Sequence, residues 1–370
     1  MTTLPPAHEI VSEIEAERPR TIPGLLSHQE KDRLIERGMV GLYRWYLARS
    51  QATRNWNPDK SFNWRALRTD HSEDVNRVIE GYYAVEQYAP DYASQTISLT
   101  RSSHGRAHFQ IRWGAEEARH ADLWLNALLF LRRRTPQWLE AYAESLRARR
   151  YSMPWDDAFH MLFYALIQER ATQLSYLNTA VVARGQSDKP ELAGDQDPVL
   201  AEVAQTIAID EAAHYNFFLE GARLFLYYYP ARTLEALAEV IERFAMPALD
   251  IIPNAQAFHE AVYRTGIYGS ARQYARDVLQ AALDNLGIVG RRALVEGVKR
   301  IRQAPDEDGH LRGTAVFELL DYHAVQDAVR RLFQRIEQHE QAVGLADLNP
   351  TTFVPSGLSG IADSASDIGR

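Results

Sequence analysis

Apolar residues recur along this chain three to four positions apart, and no stretch alternates apolar with polar positions long enough to mark a strand. The pattern predicts long helices over 74–99, 107–132, 156–184 and 198–229. Shorter ones follow over 230–243, 255–263, 270–286, 290–302 and 315–341. Breakers stand between them, among them Arg101-Ser102-Ser103, Met153-Pro154, Pro190 and Pro253-Asn254. Leu162-Phe163-Tyr164-Ala165-Leu166-Ile167 is apolar without interruption, which marks a helix buried on nearly every side. Gln168, Glu169 and Arg170 follow at once, and charged groups inside such a helix need partners. The fold class expected is all-α. A single helical domain spans 1–345, with 1–20 a loosely ordered arm and 346–370 a poorly ordered tail holding Pro350 and Pro355.

Composition narrows the chemistry. With 370 residues and 46% hydrophobic content the chain can bury a large core, so it is not a disordered protein. It has no cysteine, which removes disulfides, thiolate metal sites, iron–sulfur clusters and cysteine nucleophiles. A formal net charge of −8 argues against broad nucleic-acid binding. No apolar run approaches the length of a membrane span, and 1–20 lacks a leader-like apolar stretch, so a cytoplasmic location is expected. The lysines are only Lys31, Lys60, Lys189 and Lys299, which demotes amine chemistry. Any metal must be held by Asp, Glu and His.

Glu-x-x-His, which sets a carboxylate and an imidazole on one helix face, occurs at Glu117/His120, Glu211/His214 and Glu307/His310. Chance supplies about one match at this composition, and the third, next to Pro305 and containing Gly309, reads as a turn. The first two lie inside apolar helices. Glu86 precedes one and Glu169 the other, giving gaps of 31, 52 and 42 residues. The outer gaps fit antiparallel hairpins, and the middle one leaves room for a crossover. One Glu from each of two helices and Glu-x-x-His from two more is the ligand set of a carboxylate-bridged dinuclear site. Oxygen and nitrogen donors of this kind suit iron or manganese. Pro90 should kink its helix near Glu86. Asp210 is placed to accept the N–H of a metal-bound imidazole, that of His120, and Arg119 and Arg170 are expected to pair with acids of the opposite hairpin.

These residues resemble a known family. Glu117-Ala118-Arg119-His120-Ala121-Asp122-Leu123 and Asp210-Glu211-Ala212-Ala213-His214 resemble the two iron-binding motifs of the soluble, stearoyl-type acyl-acyl-carrier-protein desaturases. Gln168-Glu169-Arg170-Ala171-Thr172, Asn178-Thr179-Ala180, Trp113, and Glu86 with Pro90 and Tyr92 are similar too. So are Met246-Pro247-Ala248, Thr265-Gly266-Ile267-Tyr268 and Tyr274-Ala275. The likeness runs over roughly 80–278, and the segment after Gly287 matches nothing in the family pattern.

The resemblance implies a ferritin-like four-helix bundle core with additional helices, usually dimeric. It implies a non-haem di-iron oxidoreductase of fatty acid biosynthesis, using O2 and two electrons from a ferredoxin-type donor. Its product would be a cis double bond in an acyl chain held on acyl carrier protein. Two Fe2+ ions would be bound by Glu86, Glu117, His120, Glu169, Glu211 and His214. Thr172 would assist oxygen activation, and Asp210 would lie on the electron route. The acyl tunnel would be lined by Gln95, Ser98, Leu99, Met161 and Leu162. Here the chain departs from the family, with Met161 for a small residue and Gln95 for an apolar one.

Those two departures keep a second reading open, a ferritin-like hydroxylase or N-oxygenase acting on a more polar substrate. A third, a ferritin-like iron-handling protein, is disfavoured by the length of the chain. An acidic carrier protein would need a local basic patch on a net-negative chain. The densest are Arg132-Arg133-Arg134 and Arg147, Arg149 and Arg150.

Overall fold

The computed structural model describes residues 26–268, 270–302 and 316–345. Among the described residues the chain is helical, with one isolated antiparallel bridge between Ile288 and Leu320, so the all-α expectation holds. The helices are α1 (His28–Thr53), α2 (Glu73–Glu86), α3 (Ala89–Thr100), α4 (His104–Leu131), α5 (Pro136–Arg147), α6 (Ala158–Ala183) and α7 (Pro198–Tyr228). They continue as α8 (Pro230–Arg243), α9 (Ala255–Thr265), α10 (Ala271–Tyr274), α11 (Ala281–Asn285), α12 (Arg291–Arg302) and α13 (Tyr322–Ala342). None of the described helices is long and apolar enough to cross a membrane.

Helices α2, α4, α6 and α7 form the core bundle. The unbroken apolar run puts Phe159 to Ile167 of α6 entirely in the interior, packed along α7. Helix α1 lies against α4 and α7 through Leu34, Ile35, Met39 and Tyr46, and α13 closes over α1 and α7. The start of α4 meets α1 so closely that a Cβ at Gly105 would stand 2.4 Å from the Met39 backbone. That contact admits no side chain.

Several sequence expectations are revised. The helix predicted over 74–99 is two helices, because Pro90 has no N–H to offer the Glu86 carbonyl. The chain turns at Gln87 and Tyr88, and Pro90 sits in the first turn of α3, where a missing donor costs nothing. Helix α1 escaped prediction because Gly38 and Gly41 and a scatter of charges blur its periodicity, and α5 was not predicted either. Between α10 and α11 the segment Ala275–Gln280 is a π-helical turn within the predicted 270–286 helix. The Glu307/His310 pair, the 1–20 arm and the 346–370 tail lie outside the described residues.

One clamp joins the starts of α2 and α7. Asp197 caps α7 through Val199 N and Leu200 N, and its other oxygen accepts Arg68 N and faces His71 Nε2 at 3.0 Å. Asp195 accepts Ser72 N at the cap of α2 and stands 3.5 Å from His71 Nδ1. Burial pushes the His71 pKa down, but the Asp195 and Asp197 carboxylates outweigh it and raise it above 6.5. The clamp therefore stabilises fully below pH 6.5, and its contribution is lost as pH rises through the higher folded value. Unfolding free energies from urea titrations between pH 5.5 and 9 should fall on the alkaline side by about 1–3 kcal/mol more in the native chain than in His71→Gln. Parallel profiles would remove His71 from the pH dependence.

Candidate metal centre

Six side chains from four helices converge at the middle of the bundle: Glu86 from α2, Glu117 and His120 from α4, Glu169 from α6, Glu211 and His214 from α7. None is more than 3% exposed. They fall into two groups, Glu86, Glu117, His120 and Glu211, and Glu117, Glu169, Glu211 and His214. Within each group one ligand-type atom per residue lies within 4.8 Å of the others. Glu117 and Glu211 belong to both groups. Each group thus has its own Glu and its own His, and the two carboxylates in common stand where bridging ligands would be required.

The inward atoms have no hydrogen-bond partner. Glu117 Oε1, Glu169 Oε2, Glu211 Oε2, His120 Nδ1 and His214 Nδ1 are all buried and unpaired by hydrogen bonds. His214 Nδ1 stands 3.1 Å from Glu117, 3.3 Å from Glu169 and 3.4 Å from Glu211. His120 Nδ1 stands 3.6 Å from Glu117 and 3.5 Å from Glu211. Buried polar atoms are ordinarily satisfied, so a cluster left open on one side fits a cation pair bound among them. Burial and the neighbouring carboxylates push the Glu86 and Glu211 carboxyls well above the usual range. That repulsion is what bound cations would relieve.

Four of the six are held from outside the cluster. Glu86 accepts from the Tyr176 hydroxyl, and Glu169 accepts from Trp113 Nε1 at 2.9 Å. His120 Nε2 faces Asp210 at 3.4 Å, the contact expected from the sequence, and His214 Nε2 faces Glu116 at 3.0 Å. Asp210 also accepts from Trp56 Nε1, and the Trp56 ring lies parallel to the His120 ring at 6.1 Å. Arg54 pairs with Asp210 at 3.1 Å. Arg119 reaches Asp210 at 3.4 Å, across the bundle as expected. Arg170 does not do the like: it bonds Gln173 and the Asp277 carbonyl instead.

Glu116 is the residue that sequence reading missed. It accepts from Tyr46, Ser50 and Arg112 as well as facing His214. Burial raises its carboxyl, but His214, Ser50 and Tyr46 together hold it well below the usual range. The signal was present in the repeat itself. Glu116-Glu117 and Asp210-Glu211 both place an acid just before the inward Glu, and each of those acids meets the imidazole of the other helix.

Two cavities flank the centre. The outer, of about 430 Å³, lies among α2, α6, α9 and α10 and is lined by Thr172 and Tyr176 together with the exposed His259 and Tyr263. The inner, of about 30 Å³, is narrow and runs along α4 and α6 past Trp113, Ala165 and Met161. Pro247 borders both. Of the tunnel positions suggested by resemblance, Leu99, Met161 and Leu162 line the inner cavity. Gln95 and Ser98 do not. Gln95 spends its amide on Tyr151 O and Met153 N, bracing a loop, and Ser98 is exposed on α3. Thr172 is back-bonded to the Gln168 and Glu169 carbonyls while facing the outer cavity.

The two basic clusters also divide. Arg132, Arg133, Arg147, Arg149 and Arg150 are exposed. Arg134 is not a surface charge to spare, since it pairs at 2.6 Å with both Glu73 and Glu80 and braces the end of α4 against α2.

The family model described as fatty acid desaturase matches residues 59–305. Stearoyl-[acyl-carrier-protein] 9-desaturase 6 of Arabidopsis thaliana is 28% identical over 259 residues, 62% of this chain and 63% of that protein. Acyl-[acyl-carrier-protein] desaturase 3 of Oryza sativa is 29% identical over 205 residues, 52% of this chain and 46% of the relative. The chain thus spans about half to somewhat under two-thirds of the length of these relatives. A solved structure of DesA2 from Mycobacterium tuberculosis H37Rv, described as an acyl-ACP desaturase, is similar with a TM-score of 0.46 at 19% identity. That match covers 73% of this chain and 98% of the other.

Proposed function

This chain belongs to the fatty acid desaturase family, and from that premise we propose that it is a non-haem di-iron, O2-dependent desaturase. Its substrate is a fatty acyl chain carried on acyl carrier protein, and its product bears a cis double bond. The observation that carries the reading is the pair of ligand groups sharing Glu117 and Glu211, set beside a cavity that Thr172 lines. Curated relatives named for acyl-carrier-protein substrates support the carrier. Loss of two hydrogens from the chain, with O2, two electrons and two protons, balances as an alkene and two waters. The iron pair, when bound, supplies the oxidising power that acid–base side chains lack.

The protein's own part is positional. Glu116 and Asp210 hold the outward Nε2 of the two imidazoles so that each Nδ1 faces inward, as carboxylates behind metal-bound histidines do. Electrons from a ferredoxin-type donor enter past Trp56, Asp210 and His120, whose stacking and hydrogen bond support that route. Thr172, one turn after Glu169, holds a proton at Oγ1 on the wall of the outer cavity. Thr172→Val should keep its metals yet slow turnover or divert O2 to hydrogen peroxide. Unchanged coupling of O2 to product would leave Thr172 only its back-bonding role.

The carrier docks on the exposed arginines. Arg149 donates to the Ile251 carbonyl, two residues from Leu249 on the outer cavity wall, so the second cluster stands near that opening. Charge reversal at Arg133 and Arg149 should raise the KM for carrier-linked substrate roughly threefold or more at low salt, and less at high salt, with metal content unchanged. An unaltered KM at low salt would take both residues off the docking surface.

The function itself is tested with iron-loaded protein, reduced ferredoxin, O2 and acyl-carrier-protein thioesters, by mass spectrometry of the acyl product. A product two hydrogens lighter is expected. A product one oxygen heavier would make it a hydroxylase, and mineral-core formation without organic product would make it an iron-handling protein.

A further inference from the structure

The inner cavity does not end in hydrocarbon. At its end remote from the metal ligands, along α4, stand two polar side chains, Arg106 and Gln110. Arg106 is 5% exposed and Gln110 6%. The Gln110 amide oxygen has no hydrogen-bond partner. Arg106 donates to the Ala158 carbonyl and lies over the Phe225 ring. Among the described residues no carboxylate stands within ion-pair distance of it. Glu36 and Asp157 act on it from farther off, and both are engaged, Glu36 with Ser103 and Gly105 N, Asp157 with His160. Burial pushes the Arg106 pKa down to about 10, which leaves it a cation at neutral pH. A buried cation and a buried amide facing one space call for a polar occupant.

Their place relative to the metal ligands gives that occupant an address. Arg106, Gln110, Trp113 and Glu117 lie four, three and four residues apart, so they share one face of α4. On α6 the order from the outer cavity inward is Tyr176, Thr172, Glu169, Ala165, Met161 and Ala158. A chain entering from outside passes Glu169 before it reaches the polar end, about 16 Å farther along the axis. Three of the five methionines, Met39, Met153 and Met161, line this inner path. Unbranched thioethers re-pack easily, so a narrow space of about 30 Å³ can open around a chain.

We propose that Arg106 and Gln110 recognise an oxygen-bearing far end of the substrate chain, a hydroxyl or a carboxylate, in place of a plain methyl end. The inference rests on the reading of this centre as one that oxidises an acyl chain. It relocates the polar character of the tunnel from Gln95 to the end remote from the metal ligands.

The test is calorimetric binding to the metal-loaded full chain, without reductant. The probes are pantetheine thioesters of one chain length, ending in methyl, hydroxyl or carboxylate. One of the oxygenated probes should bind about tenfold or more tightly than the methyl-ended one, and which one does so identifies the terminal group. Gln110→Leu and Arg106→Met should each erase the preference, and Gln110→Leu should tighten binding of the methyl-ended probe. Gln110→Leu removes no charge and keeps the test readable if Arg106→Met does not fold. Equal or tighter binding of the methyl-ended probe, or a preference that survives both variants, overturns the inference and leaves the desaturase reading intact. Failure of all three probes to bind overturns both.

Discussion

Glu117→Ala and Glu211→Ala, each made alone, should leave the purified chain with at most one metal ion where the native chain holds two, and without O2-dependent turnover. The reason is topological. Each of these carboxylates belongs to both ligand groups, so its loss opens both metal positions at once. Glu86 and Glu169 each belong to one group, and Glu86→Ala or Glu169→Ala should spare the other position. Metal analysis by mass spectrometry, with far-ultraviolet circular dichroism to verify that the helices persist, separates the two patterns. His310→Ala should keep both metals, since its Glu307 partner sits in a Pro- and Gly-bearing turn sequence. A fully active, metal-replete Glu117→Ala/Glu211→Ala double variant would sink the site assignment.

What could be read in advance follows from which forces leave a trace in one dimension. The α6 run from Leu162 to Ile167 is apolar all round because the helix is enclosed, and enclosure is visible in composition alone. The Glu-x-x-His spacing is visible because an i, i+3 pair is local. Helix α1 was not visible. It is held by what it packs on, with Gly41 meeting Ile336 of α13, and Gly105 of α4 meeting the Met39 backbone. Such contacts join positions far apart in the chain and weaken the periodicity where they occur. That Gln95 and Ser98 stand off the inner cavity has the same origin. The break at Gln87 and Tyr88 and the brace from Gln95 to Tyr151 set which face of α3 meets the cavity. Arg134 reads as one of three surface charges until Glu73 and Glu80 are brought beside it by the fold.

Glu116 carries the second large effect, and it joins the unpredicted helix to the predicted site. Tyr46 and Ser50 of α1 donate to its two oxygens, Arg112 reaches it at 2.8 Å, and His214 faces it at 3.0 Å. Replacement by leucine leaves the Tyr46 and Ser50 hydroxyls without that acceptor and Arg112 without its carboxylate. A loss of about 3–5 kcal/mol in unfolding free energy is expected from breaking such a buried pair. Metal affinity should fall as well, because His214 loses the group that fixes its ring, and such partners are worth about 10- to 100-fold in binding. Glu116→Gln divides the two effects. The amide keeps the shape and one acceptor oxygen, so most of the stability should return, while the charge that orients the imidazole is gone. Chelator competition should therefore show Glu116→Gln weakened in metal binding even where urea midpoints are near native. If Glu116→Gln binds metal as the native chain does, while Glu116→Leu is merely unstable, Glu116 is a packing partner of α1 and not a support of the centre.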